Sequence, residues 1–357
     1  MEEGVKAQKA QEWKLVDTIT KKSNYDETLT KIIEQNVKND NSSKKGIILN
    51  EINKQIINED HIKYTTVELL IDRSKKNAKI VIKSPELLKI DDENDIIKQG
   101  DQFWLLRCAR ELDDILLYLR FNELDLGVII FSSQGSLSDV LFYDDLLHKY
   151  NSHWFLREIK HLWNRTLKRI DLTSRSLVTL IEPGSCFGGF LSEIIFASDR
   201  SYMAEGIFDD SNNPEAKIAL SKSNFNFFKM SNGITRLETR FLNESEKIKA
   251  LKNQISTELN SQMALDMGLV TFSFDDIDWE DEVRIFLEER SSFSPDSMTG
   301  LEANLRFAGP ETMETKIFGR LTAWQNWIFQ RPNAVGEEGA LKKYGSGNRS
   351  KFNWERV

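Results

Sequence analysis

Two stretches of helical periodicity, each followed at once by a short apolar run, constrain the fold of this chain more than any other feature. Residues 104–121 place leucine and isoleucine on one side of a predicted helix and lead to the apolar run 126–131. Residues 153–170 repeat the pattern and lead to 176–181. An uninterrupted apolar run is typical of a strand buried on both faces beneath covering helices. The repeated order of helix and strand therefore predicts a layered α/β core.

A second pattern adds paired strands before this core. Apolar residues alternate with polar ones over 67–71 and again over 78–82, and the charged and polar segment 72–77 separates them. Alternation is typical of strands with one buried face, and the charged segment is typical of a turn. We therefore predict a β-hairpin here.

The two ends of the chain differ from this core. Residues 5–36 carry apolar positions at helical spacing and predict two surface helices, whereas residues 36–60 are rich in Asn, Lys, Ser and Asp and predict a linker. A strongly helical pattern over 311–329 precedes a tail that contains Pro and Gly. We therefore expect three parts. Residues 1–60 contain the helices and linker, residues 61–300 form a domain, and residues 301–357 form a C-terminal helical region that mediates assembly.

Composition and charge exclude several classes of function. The 357 residues are 40% hydrophobic and contain 48 Lys and Arg against 56 Asp and Glu, a net charge of -8, so nucleic acid is not an expected partner. Two cysteines, Cys108 and Cys186, are too few for a disulfide framework and indicate a reducing, cytoplasmic compartment. The start of the chain has no targeting pattern, and no apolar run approaches the roughly 18 residues of a membrane span. We expect no membrane association.

The candidate chemistry lies in a glycine-rich turn after the second apolar run. Residues 182–189 read Glu-Pro-Gly-Ser-Cys-Phe-Gly-Gly and precede an apolar helical stretch. Backbone N–H groups at such a turn can hold an anion or a developing oxyanion. The turn lacks the motifs of a P-loop, a dinucleotide site and a nucleophile elbow, so a purely structural turn is equally favoured. Cys186 is interpreted as a small buried residue because no base lies near it in the sequence.

Three other patterns are interpreted without a ligand. Glu158 and His161 lie one helical turn apart but lack a third ligand, so no metal is expected. The acidic run 275–282 lacks the glycine of a calcium loop and predicts the capped start of a helix. Trp324 and Trp327 indicate either an interface or core packing, and the sequence leaves both open.

Beyond these patterns, the chain resembles a known family over almost its whole length. Residues 175–189, with Glu193 and 197–200, are similar to the strand, glycine loop and helix of the crotonase superfamily. Residues 13–17, 275–282 and 309–336 resemble benzoyl-CoA-dihydrodiol lyases, which belong to that superfamily. The resemblance implies a crotonase-like α/β fold, a repeated ββα spiral with a C-terminal helical region. Members of the family resemble two such units in tandem. The resemblance places this chain after the core of the first unit, with only that unit's closing helices and linker at residues 1–60.

The resemblance also implies a chemistry and partners. These lyases, also called 2,3-epoxybenzoyl-CoA dihydrolases, hydrolytically open the epoxidised ring of an aromatic acyl-CoA in aerobic benzoate degradation and release formate. No cofactor is implied, because CoA is part of the substrate. The implied partners are the acyl-CoA substrate and either a second copy of the chain, in a homodimer, or an N-terminal crotonase half. The alternative is an independent enoyl-CoA hydratase-like enzyme or a CoA-binding module.

Site residues are carried over by position. Glu193 stands where crotonases have a catalytic glutamate, six residues before Asp199. Gly188, Gly189 and Phe190 stand at the segment that forms the oxyanion hole and binds CoA. These residues are the predicted site.

This chain departs from the family pattern at three positions. Phe190 replaces a glycine whose N–H donates to the thioester oxygen, and a bulky side chain hinders close approach there. Lys222 falls where the second carboxylate is expected, and a lysine cannot act as a carboxylate base. Residues 131–136 lack the Phe-x-x-Gly-Ala-Asp pattern of the first oxyanion segment. We therefore expect the domain to act as a scaffold and not as a catalyst.

Overall fold

The computed structural model describes residues 4–39, 46–208 and 212–355. The chain divides into two compact units, Met1–Ile47 and Ile48–Val357. In the first unit, α1 (Ala7–Glu12) and α2 (Tyr25–Asn39), with a 3₁₀ turn at Lys22–Asn24, confirm the two predicted helices. Residues 1–3, at the start that was expected to carry no targeting pattern, lie outside the described residues, as do residues 40–45 of the predicted linker.

The second unit is built on a mixed eight-stranded sheet. The described residues of this unit form strands of the large sheet and of a separate two-stranded sheet. The strands are β1 (Gln55–Asn58), β2 (His61–Lys63), β3 (Val67–Asp72), β4 (Asn77–Lys83), β5 (Val128–Gln134), β6 (Ser176–Ile181), β7 (Arg200–Ala204), β8 (Ile218–Ala219), β9 (Glu258–Leu259) and β10 (Phe272–Phe274). The order in the large sheet is β1-β2-β3-β4-β5-β6-β7-β10, and β8 pairs with β9 separately. Pairing is antiparallel from β1 to β4 and parallel from β4 to β10.

Helices connect and cover these strands. In chain order they are α3 (Glu93–Gln99), α4 (Trp104–Asn122), α5 (Leu137–Lys149), α6 (Trp154–Asp171), α7 (Ser192–Ala197), α8 (Arg236–Arg240), α9 (Ser245–Lys252), α10 (Ser261–Asp266), α11 (Asp276–Ser291), α12 (Pro295–Leu305), α13 (Thr322–Ile328), α14 (Pro332–Val335) and α15 (Ala340–Lys343). Short 3₁₀ turns occupy Gly100–Gln102, Gly189–Leu191 and Lys222–Asn224, and a π-helical segment, Thr315–Leu321, precedes α13. Helix α4 packs against α6 and β3, and α11 contacts β5, β7 and β10.

The core follows the predicted pattern. All six residues of β6 are buried, as are six of the seven residues of β5, because both strands lie inside the sheet with side chains packed on each face. The predicted hairpin is confirmed: β3 and β4 pair from Val67 with Ile82 to Asp72 with Asn77. Asp275 caps α11 by accepting hydrogen bonds from the N–H groups of the first turn, as predicted. The α/β core is therefore confirmed.

One segment predicted from the sequence is wrong, and one predicted helix has an unexpected form in part of its length. The linker expected over 36–60 contains β1, an edge strand whose four residues are exposed. An edge strand pairs on one side only, so its side chains need not follow a buried pattern. The C-terminal helix expected over 311–329 has a π-helical segment in its first half, where the backbone departs from α-helical hydrogen bonding.

No helix in the described ranges is both long enough and apolar enough to cross a membrane.

A buried ion network attaches α12 to the sheet. Arg306, which directly follows α12, lies 3.0 Å from Asp199 and 2.5 Å from Glu302, measured between side-chain nitrogen and oxygen atoms. Arg290 of α11 lies 3.7 Å from the other Glu302 oxygen. Asp199 also accepts a hydrogen bond from the N–H of Leu177 in β6. Because buried charges are costly unless they are paired, this network positions α12 against the end of β6.

The network makes the stability of the chain depend on pH. Burial, and then the negative charge of Asp199, raises the pKa of Glu302 to about 8. A carboxyl group whose pKa is higher in the folded than in the unfolded chain stabilises the fold while it is protonated, and this contribution is lost as the pH rises through the folded pKa. We therefore expect the free energy of unfolding, measured with urea, to fall as the pH rises from about 4.5 to about 8 and to level off above that pH.

Two substitutions test this pH dependence. Glu302→Gln carries a neutral side chain at both pH values and should reduce the fall in unfolding free energy. The exposed Glu280→Gln should leave it unchanged. A fall of the same size in Glu302→Gln and in the unsubstituted chain would assign the pH dependence to other groups.

Candidate functional site

The glycine-rich turn joins the carboxyl end of β6 to α7. Gly135, just after β5, donates its N–H to the carbonyl of Gly184 at 2.9 Å, which ties the ends of two parallel strands together. Gly189 has φ +53°, a left-handed backbone that favours glycine. A Cβ atom on Gly189 would lie 2.5 Å from Cγ of Asp144. Glycine is therefore required here by the close approach of a side chain of the same protein.

The backbone N–H of Phe190, predicted to donate to a thioester oxygen, is already paired within the chain. It donates to Oδ1 of Asp144, on α5, at 2.9 Å. The hydroxyl of Ser223 donates to the same oxygen at 2.6 Å. Asp144 is 0% exposed. A carboxyl oxygen of the chain itself is thus the acceptor of this N–H.

The carboxyl group of Asp144 is unusually placed. Its second oxygen, Oδ2, is buried without a hydrogen-bond partner among the described residues. Burial raises the pKa of Asp144, while the hydroxyls of Ser221 and Ser223 and the charge of His148 oppose the rise. His148 Nε2 lies 2.8 Å from the Ser223 hydroxyl, and burial lowers the pKa of His148. Both groups are therefore displaced toward their neutral forms.

Glu193, the predicted catalytic residue, lies in a buried ion pair at the start of α7. It is 1% exposed, and its Oε2 lies 2.9 Å from Nη1 of Arg236. Its Oε1 accepts a hydrogen bond from the side-chain amide of Asn224 at 2.8 Å. Burial raises the pKa of Glu193 to about 7, against the attraction of Arg236. Both oxygens of Glu193 are therefore hydrogen-bonded to side chains of the same chain and covered from solvent.

Arg236 holds two carboxylates at once. It donates two hydrogen bonds to Asp171, at the end of α6, at 2.9 and 2.6 Å, in addition to its contact with Glu193. A capping box formed by Thr235 and Glu238 starts α8 and places Arg236 in its first turn. The guanidinium group therefore joins α6, α7 and α8 inside the core.

The side chain of Phe190 fills the space beside the turn. Its ring centroid lies 4.7 Å from that of Trp163 and 5.9 Å from that of Trp104, both in edge-on packing. A surface cleft of about 670 Å³ is lined by Trp104 and Tyr143, together with Lys89 and Arg107. Because Trp104 both lines the cleft and packs on Phe190, this indole separates the cleft from the turn.

The structure also places Gly188, Cys186 and Lys222 around the turn. A Cβ atom on Gly188 would lie 2.6 Å from the terminal Cδ1 methyl of Leu137, so a larger residue there would displace this leucine side chain of the adjacent helix. Cys186 is buried, its N–H donates to the Ser133 hydroxyl, and burial raises the pKa of its thiol to about 11. It is therefore the small buried residue that was predicted. Lys222 begins the 3₁₀ turn whose next two residues bond Asp144 and Glu193.

Glu158 and His161 stay unassigned to any ligand. Within the described ranges, no group of three or more His, Cys, Asp or Glu residues could hold a metal ion. Trp324 and Trp327, left open between interface and core, pack on each other at 5.5 Å and are half-buried.

The sequence did not indicate the residues that bind the Phe190 N–H and the Glu193 carboxylate, or that support those contacts: Asp144, Asp171, Ser223, Asn224 and Arg236. One signal could have found the first of them. Asp144 lies on the same helical face as Val140 and Leu147, both buried, and a carboxylate on an apolar face indicates a buried polar contact. The others lie far from Glu193 in the sequence and are recognisable only in the folded chain.

The mixed sheet, the glycine turn and the covering helices define the class of this protein. A solved enoyl-CoA hydratase structure from Geobacillus kaustophilus covers 82% of this chain and 98% of its own, with a TM-score of 0.57 and 15% identity. An enoyl-CoA hydratase from Bacillus anthracis covers 82% and 100%, with a TM-score of 0.56 and 13% identity. The chain therefore has the crotonase-like α/β fold that was predicted, with its C-terminal helices. No protein-family model matches it.

Sequence comparison is more specific. The chain is a homologue of benzoyl-CoA-dihydrodiol lyase, which confirms the resemblance. It is 43% identical over 360 residues to the lyase of Aromatoleum evansii, and the match includes 99% of this chain. The chain spans 63% of that lyase's length.

Proposed function

We propose that this chain is the non-catalytic second unit of a benzoyl-CoA-dihydrodiol lyase, an enzyme that hydrolytically opens an epoxidised benzoyl-CoA ring and releases formate. One observation carries the proposal. The Phe190 N–H and the Glu193 carboxylate, which would perform the chemistry of a crotonase, are both paired with buried side chains of the same chain. Binding a thioester at this turn would require both contacts to break inside a packed core.

The proposed organisation has three parts. Residues 1–60 contain the closing helices and linker of a first crotonase unit, residues 61–300 form the second unit, and residues 301–357 form an assembly region. Helix α2 supports the first part, because Tyr25, Leu29 and Ile33 are exposed at four-residue spacing along it. Such an apolar stripe is stable in water only when a partner covers it. We propose that the N-terminal crotonase half is that partner.

The assembly region has a similar property. Met313, Phe318 and Leu321 are more than half exposed. Large apolar side chains at this density are typical of a surface that another protein covers. We propose that this region contacts a second copy of the chain in a homodimer.

The activity is tested with 2,3-epoxybenzoyl-CoA as substrate and formate as the measured product. The purified chain alone should release no formate above the uncatalysed rate, because its candidate groups are paired. Addition of the N-terminal crotonase half, with its own glycine loop and glutamates, should produce formate release. With both halves present, Glu193→Gln should leave the rate per folded complex unchanged.

The same assay can refute the proposal. Formate released by the chain alone, at a rate lost on Glu193→Gln, would make this domain a catalyst. Hydration of a simple 2-enoyl-CoA by the chain alone would instead indicate an independent hydratase-like enzyme. The matched control is Glu280→Gln, an exposed carboxylate outside the candidate site.

A further inference from the structure

A second cleft, of about 980 Å³, lies at the opposite edge of the sheet from the glycine turn. It is lined by Lys76, which precedes β4, and by Ser291, which ends α11. The glycine turn follows the carboxyl end of β6. Because β4, β5 and β6 are parallel, the cleft is at their amino ends and is separate from the candidate site.

The lining of this cleft is basic although the chain is acidic. It contains five cationic side chains and one acidic one: Lys75, Lys76, Lys343, Arg349 and Lys351, with Glu288. Two of the lysines have carboxylate neighbours, since Lys75 lies 3.9 Å from Asp72 and Lys343 lies 3.0 Å from Glu338. Arg349 and Lys351 make no ion pair within the described part of the chain. In a protein of net charge -8, this concentration of positive charge indicates an anionic ligand.

Aromatic rings stand among these cations. The Lys76 ammonium lies 3.2 Å from the ring centroid of Trp354, and Phe352 packs edge-on against the same ring. Lys76 has φ +53°, a backbone conformation that favours glycine, and yet it presents a cation to the cleft. Tyr344 is 89% exposed. An exposed ring next to positive charge can stack with a planar base whose phosphates bind the lysines.

The wall of the cleft is held in place by the fold. Asn333 is buried and makes two reciprocal hydrogen bonds with the backbone of Asn353, at 2.9 and 2.8 Å. The N–H of Lys351 donates to the carbonyl of Glu338 at 3.0 Å. The C-terminal tail is therefore ordered against the domain before any ligand arrives, which lowers the entropic cost of binding.

We propose that this cleft binds a nucleotide, a ligand with two or more phosphates and a planar aromatic base. Arg349 and Lys351 bind the phosphates through charge-assisted hydrogen bonds, and Tyr344 stacks with the base. The volume of the cleft matches that of small-molecule sites. A free nucleoside diphosphate and the nucleotide part of coenzyme A share this chemistry.

Isothermal titration calorimetry of the purified chain tests the proposal with ADP, coenzyme A and inorganic tripolyphosphate. All three should bind, and Arg349→Gln with Lys351→Gln should weaken ADP and tripolyphosphate by about tenfold or more. Tyr344→Ala should weaken ADP by about tenfold and leave tripolyphosphate unchanged, because tripolyphosphate has no base to stack. Loss of coenzyme A affinity in the same variants identifies acyl-CoA as a source of the ligand. Weakening of ADP and tripolyphosphate with no change in coenzyme A affinity identifies a free nucleotide.

The matched control, Lys249→Gln with Lys252→Gln, also removes two positive charges, but from the exposed face of α9. It should bind ADP and tripolyphosphate like the unsubstituted chain. All the substituted side chains are exposed, so an unchanged thermal midpoint confirms that the variants fold. Equal weakening by the control pair would show nonspecific attraction and overturn the proposal. Absence of ADP and tripolyphosphate binding at millimolar concentration would also overturn it. Neither result depends on the proposed role in ring opening.

Discussion

Replacing Arg236 with alanine is expected to lower the free energy of unfolding by about 3–5 kcal/mol, the cost of leaving buried charge uncompensated. Arg236 is 1% exposed and is shared between Asp171 and Glu193, which are 2% and 1% exposed. Without the guanidinium group, two carboxylates remain in the core close to each other. Each must then either take up a proton or remain charged without its partner. Urea unfolding at neutral pH measures the change.

Two further variants test whether the loss of unfolding free energy in Arg236→Ala comes from buried, unpaired charge. Arg284→Ala removes an exposed arginine paired with Asp281 and Glu288 on the surface of α11, and should cost about 0–1 kcal/mol. The triple variant Asp171→Leu, Glu193→Leu and Arg236→Met replaces the network with apolar side chains and should recover much of the stability lost in Arg236→Ala. An unfolding free energy for Arg236→Ala within about 1 kcal/mol of the unsubstituted chain would show that the ion pairs are not structural.

The second large expected effect is at Phe190, where alanine should lower the unfolding free energy by about 3–5 kcal/mol. The Phe190 ring is fully buried and packs against Trp104 and Trp163. Removing it leaves a cavity that the two indoles cannot fill without moving, and the lost contacts add to the lost burial of the ring. The measurement is again urea unfolding.

Phe121→Ala is the matched control, because the Phe121 ring is 70% exposed at the end of α4 and should contribute within about 0.5 kcal/mol. A small effect at Phe190 would mean that the aromatic cluster collapses readily. The aromatic cluster would then not hold the glycine turn apart from the neighbouring cleft.

Much of the fold was determined by the sequence alone. The apolar runs that became β5 and β6, the alternation that became the β3–β4 hairpin, and the periodicity of α4 and α6 are local patterns set by side-chain burial. The replacement of a family glycine by Phe190 was also visible in the sequence. It predicts that the glycine turn differs from that of the resembled family. Phe190 is buried against two indoles.

Only the tertiary structure decided what that turn contacts. Asp144, Glu193 and Arg236 lie on three different helices, and their contacts form only when those helices pack. An ion pair between distant segments leaves no periodic trace in the sequence, because any exposed carboxylate or arginine has the same local pattern. The edge strand β1 was missed for a related reason, since its exposed side chains carry no burial signal and its pairing with β2 depends on the rest of the sheet. Local burial patterns therefore determine the elements of this protein, and long-range packing determines which polar groups meet in its core.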